Sequence, residues 1–368
     1  MKESPRPFLP LVATFILGLL ALTLTAPVSH AQVDEDRIAR ETRSATSISS
    51  SDSDTIRRFV DRQFEAINAG DLVAAQRARR ALLNIFEEQG AVSIAFRIEF
   101  ARITQDRIAA MVRGDDVQAA VTALHLAGKC GTQDLINGPL TSGIRDSRAA
   151  VRSAAASGLR EVFLGAGDTA ARRAQAQQAI EMLAAALAAE QDAVTAGAIA
   201  SSLARSVGTP FHGFAAETIA PAQNTLARSL RQKQDSINAW VPALQFATSI
   251  QFRRLIDPSA QNSPTFHRSV IEANLSTLAL ISERALDDDA TPLNPQNIDQ
   301  FAELVTASNQ TALLATAALT STSPGRAELA DAFRRSATND NPAPFREAFG
   351  RLIDRTAAAA GLTPGDFR

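Results

Sequence analysis

Cysteine, tryptophan and tyrosine are scarce or absent in this sequence of 368 residues, and each scarcity narrows the class of protein that it encodes. Cys130 is the single cysteine, so the chain cannot form an internal disulfide bond and must be stabilised by packing. There is no tyrosine and Trp240 is the single tryptophan, although sugar-binding and base-stacking surfaces depend on these side chains. The formal net charge is −2, which gives no basis for a surface that binds polyanions. The composition therefore argues against nucleic-acid partners.

The sequence motifs that mark common active sites are also missing. The chain has no H-E-x-x-H, no G-x-S-x-G, no phosphate loop and no G-x-G-x-x-G. His125, His212 and His267 lie far apart, and we expect structural or surface roles for them rather than metal binding or acid–base catalysis. Cys130 is expected to be a buried thiol, with a reactive thiol or an intermolecular cross-link as the alternatives. We therefore predict no catalytic, cofactor-binding or metal-binding residue.

An acidic run at Asp287, Asp288 and Asp289, with Asn294 and Asn297 nearby, suggests calcium at first sight. The run lacks the glycine at position six and the acidic residue at position twelve that an EF-hand loop requires. We interpret it as an acidic helix end followed by a loop that contains proline.

The N-terminal residues have the pattern of a secretory signal. Lys2 and Arg6 precede an apolar run, and Ser29-His30-Ala31 offers small residues for cleavage after Ala31. The alternative is an uncleaved membrane anchor, because residues 7–31 carry no charged side chain. We assign 1–31 to the signal peptide and expect an exported protein, periplasmic or extracellular, without stable membrane insertion after cleavage. Residues 32–53 are polar and serine-rich, which predicts a disordered linker.

Apolar residues recur at helical spacing from about Asp54 onward. Gly70 and Asp71 mark the turn between the first two predicted helices, and Asp71 is expected to cap the second. Residues 91–100 alternate apolar and polar side chains, which favours a strand, but a lone strand would have no partner. We interpret this segment as a helix that is apolar on most sides and deeply buried.

Between Asp115 and Val162 the pattern begins to repeat. Val117, Ala120, Val121 and Leu124 share one helix face, and a break is expected at Gly128 and Gly131. A further helix should begin after Asp146 or Ser147, either of which can cap it. On that helix Ala154 is predicted to be a core contact between stacked helices.

The segment D-S-R-A-A-V-R-S-A-A-A-S-G-L, from Asp146 to Leu159, resembles the second-helix signature of HEAT repeats. The resemblance covers about residues 111–206, is partial at Asp116, and is poor at Val194, where Thr195 stands in the place of the arginine. It implies a HEAT- or armadillo-like α-solenoid in which Asp146 and Arg152 help neighbouring repeats to stack.

The complete sequence predicts an all-α fold of stacked helical hairpins, or an irregular array of many helices. Residues 54–208 form the repeat-like region, and residues 209–368 form a C-terminal helical region that can be continuous with it. Stacked hairpins leave an extended concave surface. The first functional hypothesis is therefore an exported, non-enzymatic protein-binding or scaffold protein, whose partner is another protein or an extended ligand. The alternative is an enzyme or small-ligand carrier with its site in the C-terminal half.

Overall fold

The computed structural model describes residues 38–87, 92–165, 170–233, 236–286, 293–324 and 328–368. These residues fold into α-helices, and no strand is present among them, as the sequence predicted. Short 3-10 turns at Asn238–Trp240 and Pro364–Phe367 accompany the helices. In chain order the helices are α1 Arg40–Ser44, α2 Ser50–Asn68, α3 Leu72–Glu87, α4 Ile94–Arg113, α5 Val117–Cys130, α6 (133–143), α7 Ala149–Leu164, α8 Ala170–Ala189, α9 Ala193–Ala204, α10 His212–Arg231, α11 Val241–Leu255, α12 Pro264–Arg284, α13 Pro295–Thr320, α14 Leu329–Thr338 and α15 Ala343–Ala360.

Ordered structure begins earlier than the sequence suggested. Ile38 and Arg43 are buried, and α2 begins at Ser50, within the serine-rich segment expected to be a linker. The physical reason is a capping box, in which the Ser49 hydroxyl accepts from the Asp52 N–H and the Asp52 carboxylate accepts from the Ser49 N–H. The serines at 50–53 therefore start a helix.

The predicted signal segment, 1–31, lies outside the described residues, and none of the described helices is long and apolar enough to cross a membrane.

The first hairpin follows the predicted turn. Gly70 adopts the left-handed conformation with φ +82°, and the Asp71 carboxylate accepts from the N–H groups of Val73 and Ala74 at the start of α3.

The described part of the segment with alternating side chains is helical from Ile94 onward, as predicted. Ser93 caps α4 by accepting from the Phe96 N–H at 3.0 Å. Phe96 and Phe100 are fully buried, but Ile94 and Ile98 are 57% and 55% exposed. The expectation of burial on most sides was therefore wrong, since α4 keeps one apolar face open to solvent.

Two boundaries in the repeat-like region differ from prediction. Gly131, with φ +61°, ends α5, but Gly128 lies inside that helix, where the absence of a side chain allows close packing. Helix α7 begins at Ala149 with Arg148 as its N-cap residue. Asp146 does not cap the helix directly, because its carboxylate accepts from the Arg148 N–H at 2.8 Å and from the Arg148 guanidinium.

Helix α6 is short and irregular. It consists of Gln133–Leu135, a π-helical turn over Ile136–Leu140, and Thr141–Gly143. Pro139 lies within the π turn and has no N–H to donate to a helical hydrogen bond. The proline therefore explains why this helix departs from regular α geometry.

The helices pack in two sets, each linking every second helix along the chain. Helices α3, α5, α7, α9, α11 and α13 pack side by side, and we call them the odd layer. Helices α2, α4, α6, α8, α10 and α12 form the even layer, with α6 joined to α8 by hydrogen bonds from Gln178 and Gln133. Contacts of α8 with α10 and of α9 with α11 cross residue 208, so one hydrophobic core runs through both predicted regions.

Candidate functional site

Three grooves lie along the even layer, and the first separates α2 from α4. This α2–α4 groove has a volume of about 540 Å³, and Phe64, Ile67 and Met111 supply apolar lining. The Arg107 guanidinium lies 5.3 Å from the centre of the Phe64 ring and pairs with Asp61. The groove thus combines an apolar floor with charged groups.

The second groove lies between α4 and the N-terminal ends of α6 and α8. This α4–α8 groove has a volume of about 580 Å³, and the exposed Ile94 and Ile98 side chains form its apolar wall. Thr132 Oγ1 and Gln175 Oε1 also belong to its lining, and neither atom has a hydrogen-bond partner among the described residues. Both atoms are shielded from solvent, so the exposed isoleucines are the part of this wall that a ligand could contact.

The third groove lies at the other end of α6. This α6–α8 groove has a volume of about 600 Å³, and Ile144, Met182 and small residues of α8 line it. Arg152 pairs with Glu190 at its edge, with an N–O distance of 2.7 Å. Because α6 is much shorter than the 20-residue helices α4 and α8, the even layer has room for a groove at each end of it.

Arginines connect successive hairpins along one edge of the array. Arg79 of α3 donates to Asp116, the N-cap residue of α5, at 3.0 Å. Arg148 donates to the carbonyl groups of Val112 and Gly114 at the end of α4. Arg152 of α7 reaches forward to the buried Glu190, which itself accepts from the backbone N–H groups of 191 and 192. Burial acts to raise the pKa of Glu190, but the hydrogen bonds from Arg152 and from these backbone N–H groups outweigh it and lower the pKa below its ordinary value.

The three histidines are distributed among different helices. His125 is half-buried near Arg160 on the odd layer, and the His212 Nε2 atom lies 3.1 Å from the Ile250 carbonyl oxygen. His267 is buried beside Phe266. Burial is the main cause that lowers the pKa of each histidine. No hydrogen bond or ion pair joins any two of them within the described residues, so they do not form a common site.

Cys130 is fully buried at the end of α5. Burial raises the pKa of its thiol to about 12, although the nearby Arg97 acts in the opposite direction. The group is therefore a neutral thiol at physiological pH, which makes it a poor nucleophile.

The acidic run at 287–289 lies outside the described residues. Asn294 has an ordinary structural role, since its side-chain oxygen caps α13 by accepting from the Asn297 N–H. Among the described residues, no group of three or more His, Cys, Asp or Glu side chains is placed to hold a metal ion.

The C-terminal half contains a buried polar network that the sequence did not predict. Gln251 donates to the Gln223 side-chain oxygen at 2.6 Å and accepts from Asn274 at 2.9 Å. Gln223 donates to Thr248 and Thr277 at 3.0 Å each, so the network joins α10, α11 and α12. All five residues have 0% exposure. The signal that could have revealed them is polar residues at positions where the helical spacing requires core residues.

The polar network is closed to solvent, and a surface groove of the C-terminal half lies elsewhere. A groove of about 210 Å³ between α13 and α15 is lined by Asn309, Glu328, Arg351 and Arg355 among others. It is smaller than each of the three even-layer grooves.

Taken together, the helices and grooves define an all-α protein in which the three larger of the grooves described lie along one layer of helices. Searches against protein-family models, curated proteins and solved structures find no match to this chain.

Proposed function

We propose that this chain is an exported, non-enzymatic protein-binding or scaffold protein built from stacked helical hairpins. The observation that carries the proposal is the position of the three largest grooves described above, which all lie along the even layer. Grooves of this kind accommodate side chains of another protein, and a row of them suits an extended partner.

The stacked architecture is the second part of the proposal. Each layer brings together every second helix, and Arg79 and Arg152 connect one hairpin to the next. These features support a HEAT-like solenoid, in which each unit packs against its two neighbours. The role that the resemblance implies for Arg152 fits its contact with Glu190, and the Asp146 carboxylate holds Arg148, whose guanidinium donates to carbonyl groups at the end of α4.

The chemistry of the candidate groups favours binding over catalysis. Cys130 is a buried neutral thiol, and the histidines are distributed over separate helices. The alternative, an enzyme or small-ligand carrier with its site in the C-terminal half, would depend on the small groove near Arg351. The proposal of export rests on the pattern of residues 1–31. In mass spectrometry of the intact protein, a mass that corresponds to a chain starting at Gln32 would establish cleavage.

Site-specific photocross-linking in the native envelope tests the binding surface. A photoreactive amino acid is placed at Ile98 and at Met182, which line two of the even-layer grooves. The matched controls are Gln76 and Val194, which are exposed on odd-layer helices. We expect discrete cross-linked products from the groove positions and none from the controls. Equal products from both sets, or from the controls alone, would rule out this surface.

A further inference from the structure

The α2–α4 groove differs in charge from the other two. Its lining contains the carboxylates of Asp61, Glu65, Asp115 and Asp116 but the guanidinium of Arg107 alone. By contrast, the α6–α8 groove balances two arginines against two glutamates, and the α4–α8 groove has two arginines and one aspartate. The chain as a whole has a net charge of only −2, so this negative potential is local.

Two of these carboxylates are available to a partner. Asp61 pairs with Arg107, and Asp116 accepts from Arg79. Glu65 and Asp115 are exposed, and no hydrogen bond or ion pair engages them within the described residues. A bound cation could therefore pair with them without breaking an existing ion pair.

The groove also offers an apolar floor. Phe64 and Ile67 are buried, and Met111 beside them is partly exposed. Arg107 is already engaged, because it pairs with Asp61 and lies over the Phe64 ring. An apolar floor beside negative charge favours a ligand that carries apolar side chains as well as positive charge, and a metal ion or a simple polyamine has no such side chains.

We infer that the α2–α4 groove binds a basic, amphipathic peptide segment of a partner protein. A lysine or arginine of that segment pairs with Glu65 or Asp115, and an apolar side chain contacts Phe64 and Met111. The inference rests on the proposed function, because it specifies the chemistry of the protein partner.

Fluorescence anisotropy with synthetic peptides tests the inference on the mature full-length chain. The probe is a labelled peptide of arginine and leucine, compared with a peptide of glutamate and leucine and a peptide of arginine and glycine. We expect the arginine–leucine peptide to bind more tightly than the other two, with an affinity that falls as salt is added. Equal binding of the arginine–glycine peptide would show that the apolar floor is not used and would overturn the inference.

The matched variants are Glu65→Gln combined with Asp115→Asn, and, as the control, Glu303→Gln at an exposed position of the odd-layer helix α13 outside the grooves described above. The double variant should weaken binding of the arginine–leucine peptide by about three- to tenfold, since each exposed charge pair contributes modestly. The control variant should bind like the wild type, and circular dichroism verifies that all variants fold. Unchanged affinity in the double variant, or no binding by the wild type, would refute the inference. Cross-links at Ile98 and Met182 would then still support the broader proposal.

Discussion

Glycine at the crossing of α5 and α7 determines how closely these two odd-layer helices approach each other. A methyl group added to Gly128 of α5 would lie 2.5 Å from the Cα atom and the carbonyl oxygen of Gly158 in α7. Backbone atoms cannot rotate away as a flexible side chain can. The two helices would therefore have to move apart, and contacts on either side of the crossing would be lost.

Gly128→Ala is accordingly expected to destabilise the protein by about 1–3 kcal/mol, the usual cost of overpacking. Gly197→Ala in α9 is the matched control, because an added methyl group there meets no atom within 4 Å. That control should be neutral or stabilising by about 0.5–1 kcal/mol through its higher helix propensity. Urea denaturation measures both variants, and similar stabilities for the two would contradict the close crossing.

Ala154 is the residue at which the predicted repeat register can be tested. It lies in α7 with 5% exposure, in agreement with its assignment to the core. Ala154→Glu should cost about 3 kcal/mol or more by burying a carboxylate without a partner. The control position is Ala150, which is exposed on the same helix near its N-terminus. Ala150→Glu should therefore change stability by no more than about 0.5 kcal/mol. A wild-type melting temperature for Ala154→Glu would show that the register is wrong.

At the scale of single elements, the buried network of α10, α11 and α12 fixes how these helices align. An apolar interface can slide by small steps, whereas the amides of Gln223, Gln251 and Asn274 are satisfied in one arrangement. Gln251 is central because it both donates and accepts within the network.

Gln251→Leu should destabilise the protein by about 2–4 kcal/mol, because it leaves the Gln223 oxygen and an Asn274 N–H with fewer partners in a dry core. Gln245→Leu, at a partly exposed position of the same helix, should stay within about 0.5 kcal/mol of the wild type. Replacing Gln223, Gln251 and Asn274 together by Leu should cost less than the sum of the single changes, because no member of the amide group is then left unsatisfied. Additive losses in chemical denaturation would argue against a coupled network.

Prediction from the sequence was correct for helices that are marked by a local signal, and it failed for helix boundaries that depend on packing. Helical spacing and the cap at Asp71 predicted the first hairpin, and the argument about strand pairing correctly made α4 a helix. The start of α2 was missed because its serines have low helix propensity, although the Ser49 capping box compensates for it. Gly128 was taken for a break because composition cannot distinguish a glycine that ends a helix from one that permits a crossing.

The grooves could not be predicted from the sequence for a related reason. The positions of the α4–α8 and α6–α8 grooves depend on the shortness of α6, and the π-helical turn at Pro139 within it does not follow from helical spacing. Neither the charge imbalance of the α2–α4 groove nor the pairing of Arg152 with Glu190 follows from spacing along the chain, since the partners come from different hairpins.

For the whole molecule, the decisive feature is continuity across residue 208. The sequence pattern changes there, and the sequence alone was compatible with either two separate domains or one continuous stack. Helices α8 and α9 on one side pack against α10 and α11 on the other, and a single apolar core includes Leu203, Phe211 and Ile219. The interface between the two regions is therefore made of the same buried side chains as the interior of each.

This continuity predicts that the two regions stabilise each other. A chain that ends at residue 208 would expose the faces of α8 and α9 that α10 and α11 cover, and terminal units of helical stacks need a polar outer face to stay soluble. We expect the shortened protein to melt at a lower temperature than the full chain, or to aggregate. In the full chain, calorimetry should show one coupled transition, and Gln251→Leu should lower the melting temperature of both regions.

A matched control ends the chain at residue 361, after α15, and removes the turn that contains Phe367 while leaving the 208 interface intact. If the chain ending at 208 melted at the same temperature as the corresponding part of the full protein, the two regions would be independent domains. The three even-layer grooves would then all belong to the domain that ends at residue 208, since their linings lie between Asp61 and Gln191.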